Sequence, residues 1–349
     1  MEKITNLKIL IVSQYYWPEN FRINELTYEL KKLKHNITVL TGYPNYPEGK
    51  IYNDFLNNQS RFSKYKGINI IRVPLIPRGQ SRVQLIANYL SFCINASILG
   101  LIKLRKKEFD IIFVFQTSPI LVGIPSSIIS FFKKTPQILW ILDLWPETLT
   151  AMGILKKKWQ IKFVRFFTNL IYQQFNIILT QSKSILNIIR KYTKTIETFY
   201  FPAWSESNTQ PRSIKIAKEI EEKKSLFTII FAGNIGEAQD FPSIVKAVSF
   251  LIKINFKHFR IITLGNGSKK AWLIKEIKKQ KLNPYFEIMD SYPPTRMPSF
   301  FEHADALLVS LKDEEVFKMT IPGKIQTYLT TGKPIIGMLS GEGAKVIKE

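Results

Sequence analysis

An α/β chain of two doubly wound halves in tandem is the fold the sequence predicts, and three observations predict it. The chain has 349 residues, more than one ordinary domain holds. Short apolar runs alternate with segments of helical spacing along both halves, the signature of mostly parallel sheets covered by helices on both faces. The alternation breaks once, near Tyr200, where residues 201–213 (FPAWSESNTQPRS) carry two prolines and several small polar residues and read as a linker. The predicted domains are residues 1–204 and 205–349.

In the first half, Lys8–Ser13 (KILIVS) is a continuous apolar run of buried-strand type. Phe21–Leu33 has helical spacing, with Asn20 as its N-cap. Asn36–Leu40, Asn69–Val73, Asp110–Phe115 and Gln137–Leu142 read as further strands, with helices between the later ones. In the second half, Leu226–Ala232, Phe259–Leu264, Ala306–Ser310 and Pro334–Gly337 read as strands. Two doubly wound sheets place a ligand crevice at their facing strand ends.

Composition narrows the function classes. Apolar residues are 45% of the chain, enough for a packed core. Cys93 is the single cysteine, which excludes an intrachain disulfide and a thiolate metal cluster and fits a reducing cytoplasm. The net charge of +23 attracts phosphorylated substrates or anionic lipid, although compositional habit explains the excess equally well. The charge is scattered, with no basic run or aromatic-interleaved RNA motif, so nucleic acid is not an expected partner. The opening residues (MEKITNLKILIVSQYYW) read as a buried first strand, not a signal peptide. Leu85–Leu104 is the nearest thing to a membrane span, but Asn88, Ser91, Asn95 and Ser97 favour a buried or membrane-surface helix. Phe131, Phe132, Phe163, Phe166 and Phe167 stand among lysines and arginines. They suit either an anionic bilayer surface or ordinary helix packing with solvated cations.

Two segments carry candidate chemistry. In FAGNIGEAQDFPSIVKAV (231–248) a strand ends at Ala232, a glycine turn follows, and a helix starts near Pro242. That arrangement aims amides and a helix N-terminus at a phosphate, or is an ordinary strand–helix turn. In IPGKIQTYLTTGKPII (321–336) a Pro-Gly turn opens a helix over Lys324–Thr330, with Lys324 in its first turn facing the crevice. A cation there neutralises a leaving diphosphate. GNGS (265–268) also follows a strand and is a weak signal alone.

The ordered blocks VSQYYWPENFRINEL, TGYPNYPEGKIY, DLWPETLTAMG, FAGNIGEAQDF, MPSFFEHADALLVSLK and IPGKIQTYLTTGKPII resemble the bacterial glycosyltransferase family 4 enzymes of the fucosamine-transferase (WbuB-like) type. The resemblance runs from about Lys8 to the C-terminus. It implies a GT-B fold of two Rossmann-like domains with an inter-domain cleft. The implied donor is a nucleotide-diphospho-sugar, UDP-linked, held mainly by the C-terminal half. The implied transfer is retaining, of a hexosyl or N-acetylhexosaminyl group. The implied acceptor is a polyprenyl-linked sugar or other polysaccharide precursor, held mainly by the N-terminal half. The setting implied is O-antigen or capsule biosynthesis, with the protein cytoplasmic and peripheral at the inner face of the plasma membrane.

This chain departs from the wider family at several positions. The Arg and Lys that commonly hold the diphosphate are replaced by Asn234 and Gln239. Of the usual glutamate pair, the second aligns with Thr327 and the first falls near Met319. The histidine before the middle-motif aspartate is replaced by Leu142, leaving Asp143 and, four residues on, Glu147. The family also continues through further strand–helix units, so a chain stopping at Glu349 reads as having an incomplete C-terminal domain. The expected donor site is Gly233, Asn234, Gly236, Gln239, Pro322 and Gln326, with Lys324 and Arg22 supplying charge.

Glycosyl transfer passes through an oxocarbenium-like state while the leaving diphosphate gains negative charge. Lys324 and the Gly233–Gly236 amides are expected to stabilise that charge, and the absence of an Asp-X-Asp pair agrees with a metal-independent site. Asp143 and Glu147 are the carboxylate candidates, with helix capping as the competing role for Asp143. The catalytic set is therefore Asp143, Glu147 and Lys324, with no metal and no cofactor beyond the donor. Tyr43, Asn45 and Tyr46 are candidates for the acceptor surface, or for a rigid turn packed by aromatics. His35, His258 and His303 are expected to be surface or satisfied residues. Two other functions fit the same fold, a sugar-nucleotide epimerase or hydrolase, and a binding protein with impaired catalysis.

Overall fold

A computed structural model describes residues 6–79, 81–205, 215–223 and 225–349. The chain divides into two compact units, Met1–Pro202 and Ala203–Glu349. Of the linker read at 201–213, residues 206–213 lie outside the described residues.

The first unit runs β1 (Lys8–Val12), α1 (Arg22–Lys32), β2 (Asn36–Gly42), α2 (Asn53–Asn57), β3 (Lys64–Tyr65), β4 (Ile68–Val73), α3 (Arg82–Leu104), β5 (Ile111–Gln116), α4 (Gly123–Lys133), β6 (Gln137–Ile141), α5 (Glu147–Ala151), α6 (Lys158–Tyr172), β7 (Ile177–Thr180), α7 (Lys183–Tyr192) and β8 (Glu197–Tyr200). Its sheet has the order β3-β4-β2-β1-β5-β6-β7-β8. Only the β3–β4 pair is antiparallel. The strand order reverses between β1 and β5, so ligands are favoured just beyond the C-terminal ends of those strands. β1 is a continuous apolar run because both its faces are covered, and Leu10, Ile11 and Val12 have no exposed surface. Burying each such side chain contributes about 1.5–3 kcal/mol.

Helix α3 begins with a capping box in which Ser81 accepts from the Gln84 amide and Gln84 reaches back to Ser81. Two opposed stripes at fourfold spacing explain its packing. Asn88, Phe92, Cys93, Ala96, Gly100 and Leu104 face the sheet, while Val83, Ile86, Leu90, Ile94, Ile98 and Ile102 are exposed. Among the described residues it is the one helix long and apolar enough to cross a membrane. Its buried stripe instead lies against β2 and β4.

The second unit runs β9 (Phe227–Ala232), α8 (Phe241–Lys253), β10 (Phe259–Leu264), α9 (Lys270–Lys279), β11 (Phe286–Met289), α10 (Met297–Phe301), β12 (Ala306–Ser310), α11 (Glu315–Lys318), α12 (Gly323–Leu329), β13 (Ile335–Met338) and α13 (Glu342–Lys348). The sheet order is β11-β10-β9-β12-β13 with every pair parallel, and the reversal falls between β9 and β12. Alternate residues divide between two cores. Ile230, Ala232, Ile262, Leu264, Leu307 and Val309 pack on one face. Phe231, Phe259, Ile261 and Leu308 pack on the other.

Two expected caps are not made. Phe21, in extended conformation, is the N-cap of α1 in place of Asn20. The approach to that helix is fixed instead by Asn24, whose amide accepts from Trp17 N and donates to Glu19 O. Pro146, not Asp143, is the N-cap of α5, which leaves the Asp143 carboxyl outside the helix.

Candidate functional sites

In the second unit the strand β9 delivers the chain into Gly233, whose φ of +132° favours glycine. The missing side chain has a use. A Cβ at Gly233 would stand 3.4 Å from Lys324 Nζ, so the lysine runs across this glycine. Its ammonium ends 3.6 Å from the centre of the Phe231 ring, an enclosed cation–π contact. Lys324 Nζ has no hydrogen-bond partner and is shut away from solvent. Burial pushes its pKa down to about 7. Helix α12 is clamped in place by Tyr328, whose hydroxyl accepts from Ala232 N at 2.9 Å. An unpartnered buried amine is expensive to fold, and an arriving anion would satisfy it.

The amide cradle expected at Gly233–Gly236 is largely closed. Gly233 N donates to Leu264 O at 2.9 Å, Ile235 N to Asn266 O at 2.8 Å, and Gly236 N to Gln239 Oε1 at 3.1 Å. The first two bonds knit the β9 and β10 turns together and the third closes the β9 turn on itself, which leaves Asn234 as the amide open to a ligand. Gln239 therefore closes the turn instead of replacing the lost cation. The Asn234 side chain covers Gly236 and Gly267, where an added Cβ would come within 2.6 and 2.4 Å of it. Gln326 folds back on its own helix, its amide nitrogen placed to donate to Pro322 O and Gly323 O at 3.0 Å. Pro322 is the N-cap of α12.

Three charged residues beside this turn escaped the sequence reading. Glu237 pairs with Lys269 at 2.7 Å and also with Lys312. Those two hydrogen bonds hold its carboxyl below the usual range. They join the ends of β9, β10 and β12, a juxtaposition that no local spacing in the sequence reveals.

In the first unit the candidate carboxylate Asp143 follows β6. Burial pushes its pKa up to about 7, opposed by a hydrogen bond from Ser118. Ser118 also accepts from the Trp145 indole at 3.1 Å. Gln116 fixes the backbone here by donating to Asp143 O at 3.1 Å. Glu147 is differently placed. Its Oε1 accepts from Tyr192 at 2.7 Å and Arg165 at 3.1 Å, so that oxygen is engaged in bracing α5 against α6 and α7. Arg22 lies 3.7 Å from Glu25 on the same helix.

The Tyr43–Tyr46 loop is a rigid turn. Glu19 reaches into it and accepts from Asn45 N and Tyr46 N, each at 2.8 Å. Asn45 itself is fully buried, donating to Tyr43 O and accepting from Arg78 N at 3.0 Å. Its side chain is thus occupied in holding the loop, a correction to its expected acceptor contact. Tyr43 packs against Phe55 at 4.7 Å, and Tyr46 lies 5.5 Å from Tyr15. The polar group that this loop does bring to the strand ends is Arg78, missed in the sequence. It donates to the Tyr15 hydroxyl at 3.2 Å and sits 5.4 Å from the Tyr46 ring. Burial raises the pKa of Tyr89 on α3, the nearby Arg78 lowers it, and Asp143 raises it further. The order of the strands, not a sequence motif, assembles this group.

No protein-family model matches the chain. It is 23% identical over 344 residues to WcaI of Escherichia coli (strain K12), named as a colanic acid biosynthesis glycosyl transferase, covering 93% of this chain and 82% of WcaI. It superimposes on sucrose-phosphate synthase from Thermosynechococcus elongatus with a TM-score of 0.70 at 10% identity, over 96% of this chain and 82% of that one. The chain has a GT-B fold. Anabaena HepE, solved in complex with UDP-glucose, is similar over 97% of this chain and 82% of its own, with a TM-score of 0.64 at 12% identity.

Proposed function

We propose that the chain is a retaining glycosyltransferase. It moves a hexosyl or N-acetylhexosaminyl group from a UDP-linked donor to a polyprenyl-linked sugar in cell-surface polysaccharide synthesis. The observation that carries the reading is Lys324, a buried amine without a hydrogen-bond partner at the glycine turn after β9. A donor diphosphate would satisfy it and draw it into the charged form. The similarity to WcaI and the UDP-glucose complex of HepE support the substrate class.

In the proposed reaction the acceptor hydroxyl oxygen bonds to the anomeric carbon of the donor sugar on the same face from which the diphosphate departs, so the configuration is retained. The bond from that carbon to the diphosphate breaks, and its electron pair leaves with the diphosphate beside Lys324. Asp143 takes the hydroxyl proton, a role suited to a carboxyl whose pKa is about 7. Attachment to the inner face of the plasma membrane belongs to the same reading. The exposed α3 stripe and the exposed Trp159, Phe163 and Phe166 of α6 support that attachment.

A thermal-shift screen with UDP-, GDP- and dTDP-sugars tests the donor. Stabilisation by the UDP class, abolished in Lys324→Ala, is expected. No response to any nucleotide sugar would overturn the reading, and sugar release or epimerisation without acceptor would reassign the chemistry.

A further inference from the structure

Helices α4 and α6 enclose a groove of about 540 Å³ in the first unit, within the size range of small-molecule sites. Its walls include Ile124 and Ile128 from α4, Val164, Phe167 and Ile171 from α6, and Trp145. No charged side chain lines it. Ser127 and Gln174 turn their polar groups to the helix backbone, donating to Gly123 O and Leu170 O. Phe131 and Phe132 continue the apolar surface at the end of α4 and are 79% and 64% exposed.

Three features select the occupant. The groove is concave, so a flat bilayer surface laid over it would leave its walls without contacting atoms, while a single chain fills it. Exposed cations, Lys158 and Lys162, precede Phe163 on the first turns of α6. They complement an anionic head group. The groove also connects to the candidate chemistry. Trp145 in its wall donates to Ser118, whose hydroxyl lies beside the Asp143 carboxyl and acts on it.

From this geometry we infer that the α4–α6 groove binds the hydrocarbon chain of a phosphate-headed lipid and delivers its polar end toward Asp143. The lipid is the acceptor itself. This rests on the lipid-linked acceptor of the proposed function and gives the chain of that lipid a defined seat. Burial of successive methylene and methyl groups supplies affinity, and the head group sets direction.

Farnesyl diphosphate, compared with inorganic pyrophosphate by titration calorimetry, is the probe. Farnesyl diphosphate is expected to bind at least about tenfold more tightly. Val164→Trp and Ile124→Trp, each filling the groove, are expected to remove that difference. Trp159→Ser with Phe166→Ser, outside the groove, is expected to keep it while weakening attachment to phosphatidylglycerol vesicles. A bromine-labelled alkyl phosphate covers the case in which filled variants do not fold. It should quench wild-type fluorescence more than that of Trp145→Phe.

Equal binding of the two diphosphates overturns the inference, as does unchanged farnesyl diphosphate binding in a folded groove-filled variant. Equal quenching in the wild type and Trp145→Phe does the same. A dimer lost in Val164→Trp, without farnesyl diphosphate binding in the wild type, assigns the groove to a second copy and also overturns it. Chain binding without any response to nucleotide sugars would leave the groove in place and sink glycosyl transfer. Donor response without chain binding would sink the groove alone.

Discussion

At the strand ends of the second unit the chain places glycines and a buried amine, while at those of the first it places phenols and carboxyls. Both sheets reverse strand order at the centre, so topology offers each the same kind of opening. The contents differ in what they hold in reserve. Lys324 has its charge suppressed by burial and its hydrogen bonds unmade, so an anion is what it lacks. Asp143 is lifted by burial to a pKa of about 7, so it can give or take a proton near neutrality. In the proposed reaction that difference gives charge neutralisation to one opening and proton handling to the other.

Removing the amine is the strongest way to break this comparison. Lys324→Ala is expected to lower turnover with a nucleotide sugar by about 10²–10³-fold, the scale of losing one stabiliser of developing negative charge. Lys324→Met is expected to raise the stability of the unliganded chain near neutral pH. The sign follows from linkage. A lysine held at about 7 when folded contributes stability present above the usual lysine range and lost as pH falls toward 7. The advantage of the methionine should therefore shrink as pH rises, read as melting temperatures across that range. Unchanged turnover would return Lys324 to a packing role.

Asp143→Asn sharpens the other half. Turnover is expected to fall by about 10²–10⁴-fold, the usual contribution of a general base. The wild-type rate should rise as pH passes through about 7, where Asp143 ionises, and the variant should lose that rise. A parallel loss of rate with the pH profile intact would make Asp143 a residue that positions substrate without taking a proton.

The legibility of these features in the sequence follows their range. Buried strands such as Phe259–Leu264 and Ala306–Ser310 match the structure residue for residue, because a parallel strand covered on both faces reads as a near-continuous apolar run, here interrupted only by Arg260, Thr263 and Ser310. Short or edge strands such as β3, β8 and β11 lack that run. Lys324 was visible because a Pro-Gly turn marks its helix start. Its perch on Phe231, 93 positions away in a chain of 349 residues, was not visible. Glycines suggested open amides at Gly233–Gly236, but the neighbouring strand turn takes them up, through bonds that only tertiary structure supplies. Arg78 and Tyr89 carry no motif at all.

Glu19 offers the smallest effect and a check on how the first unit's loop is held. It accepts from the amides of Tyr16, Asn45 and Tyr46, yet burial outweighs them and lifts its pKa to about 7. A folded value raised above the ordinary carboxylate range means stability present below that range and lost as pH climbs through 7. Glu19→Gln keeps the shape but points an amide NH₂ toward one of these donors, or leaves it unmatched. The expected cost is about 1–3 kcal/mol at about pH 5, measured by urea unfolding. Because only the wild type carries the ionisation penalty, the gap between the two proteins should narrow by about pH 8. A gap that widens instead would mean that the three amides favour the ionised carboxylate more than burial opposes it, and that the loop is held by charge.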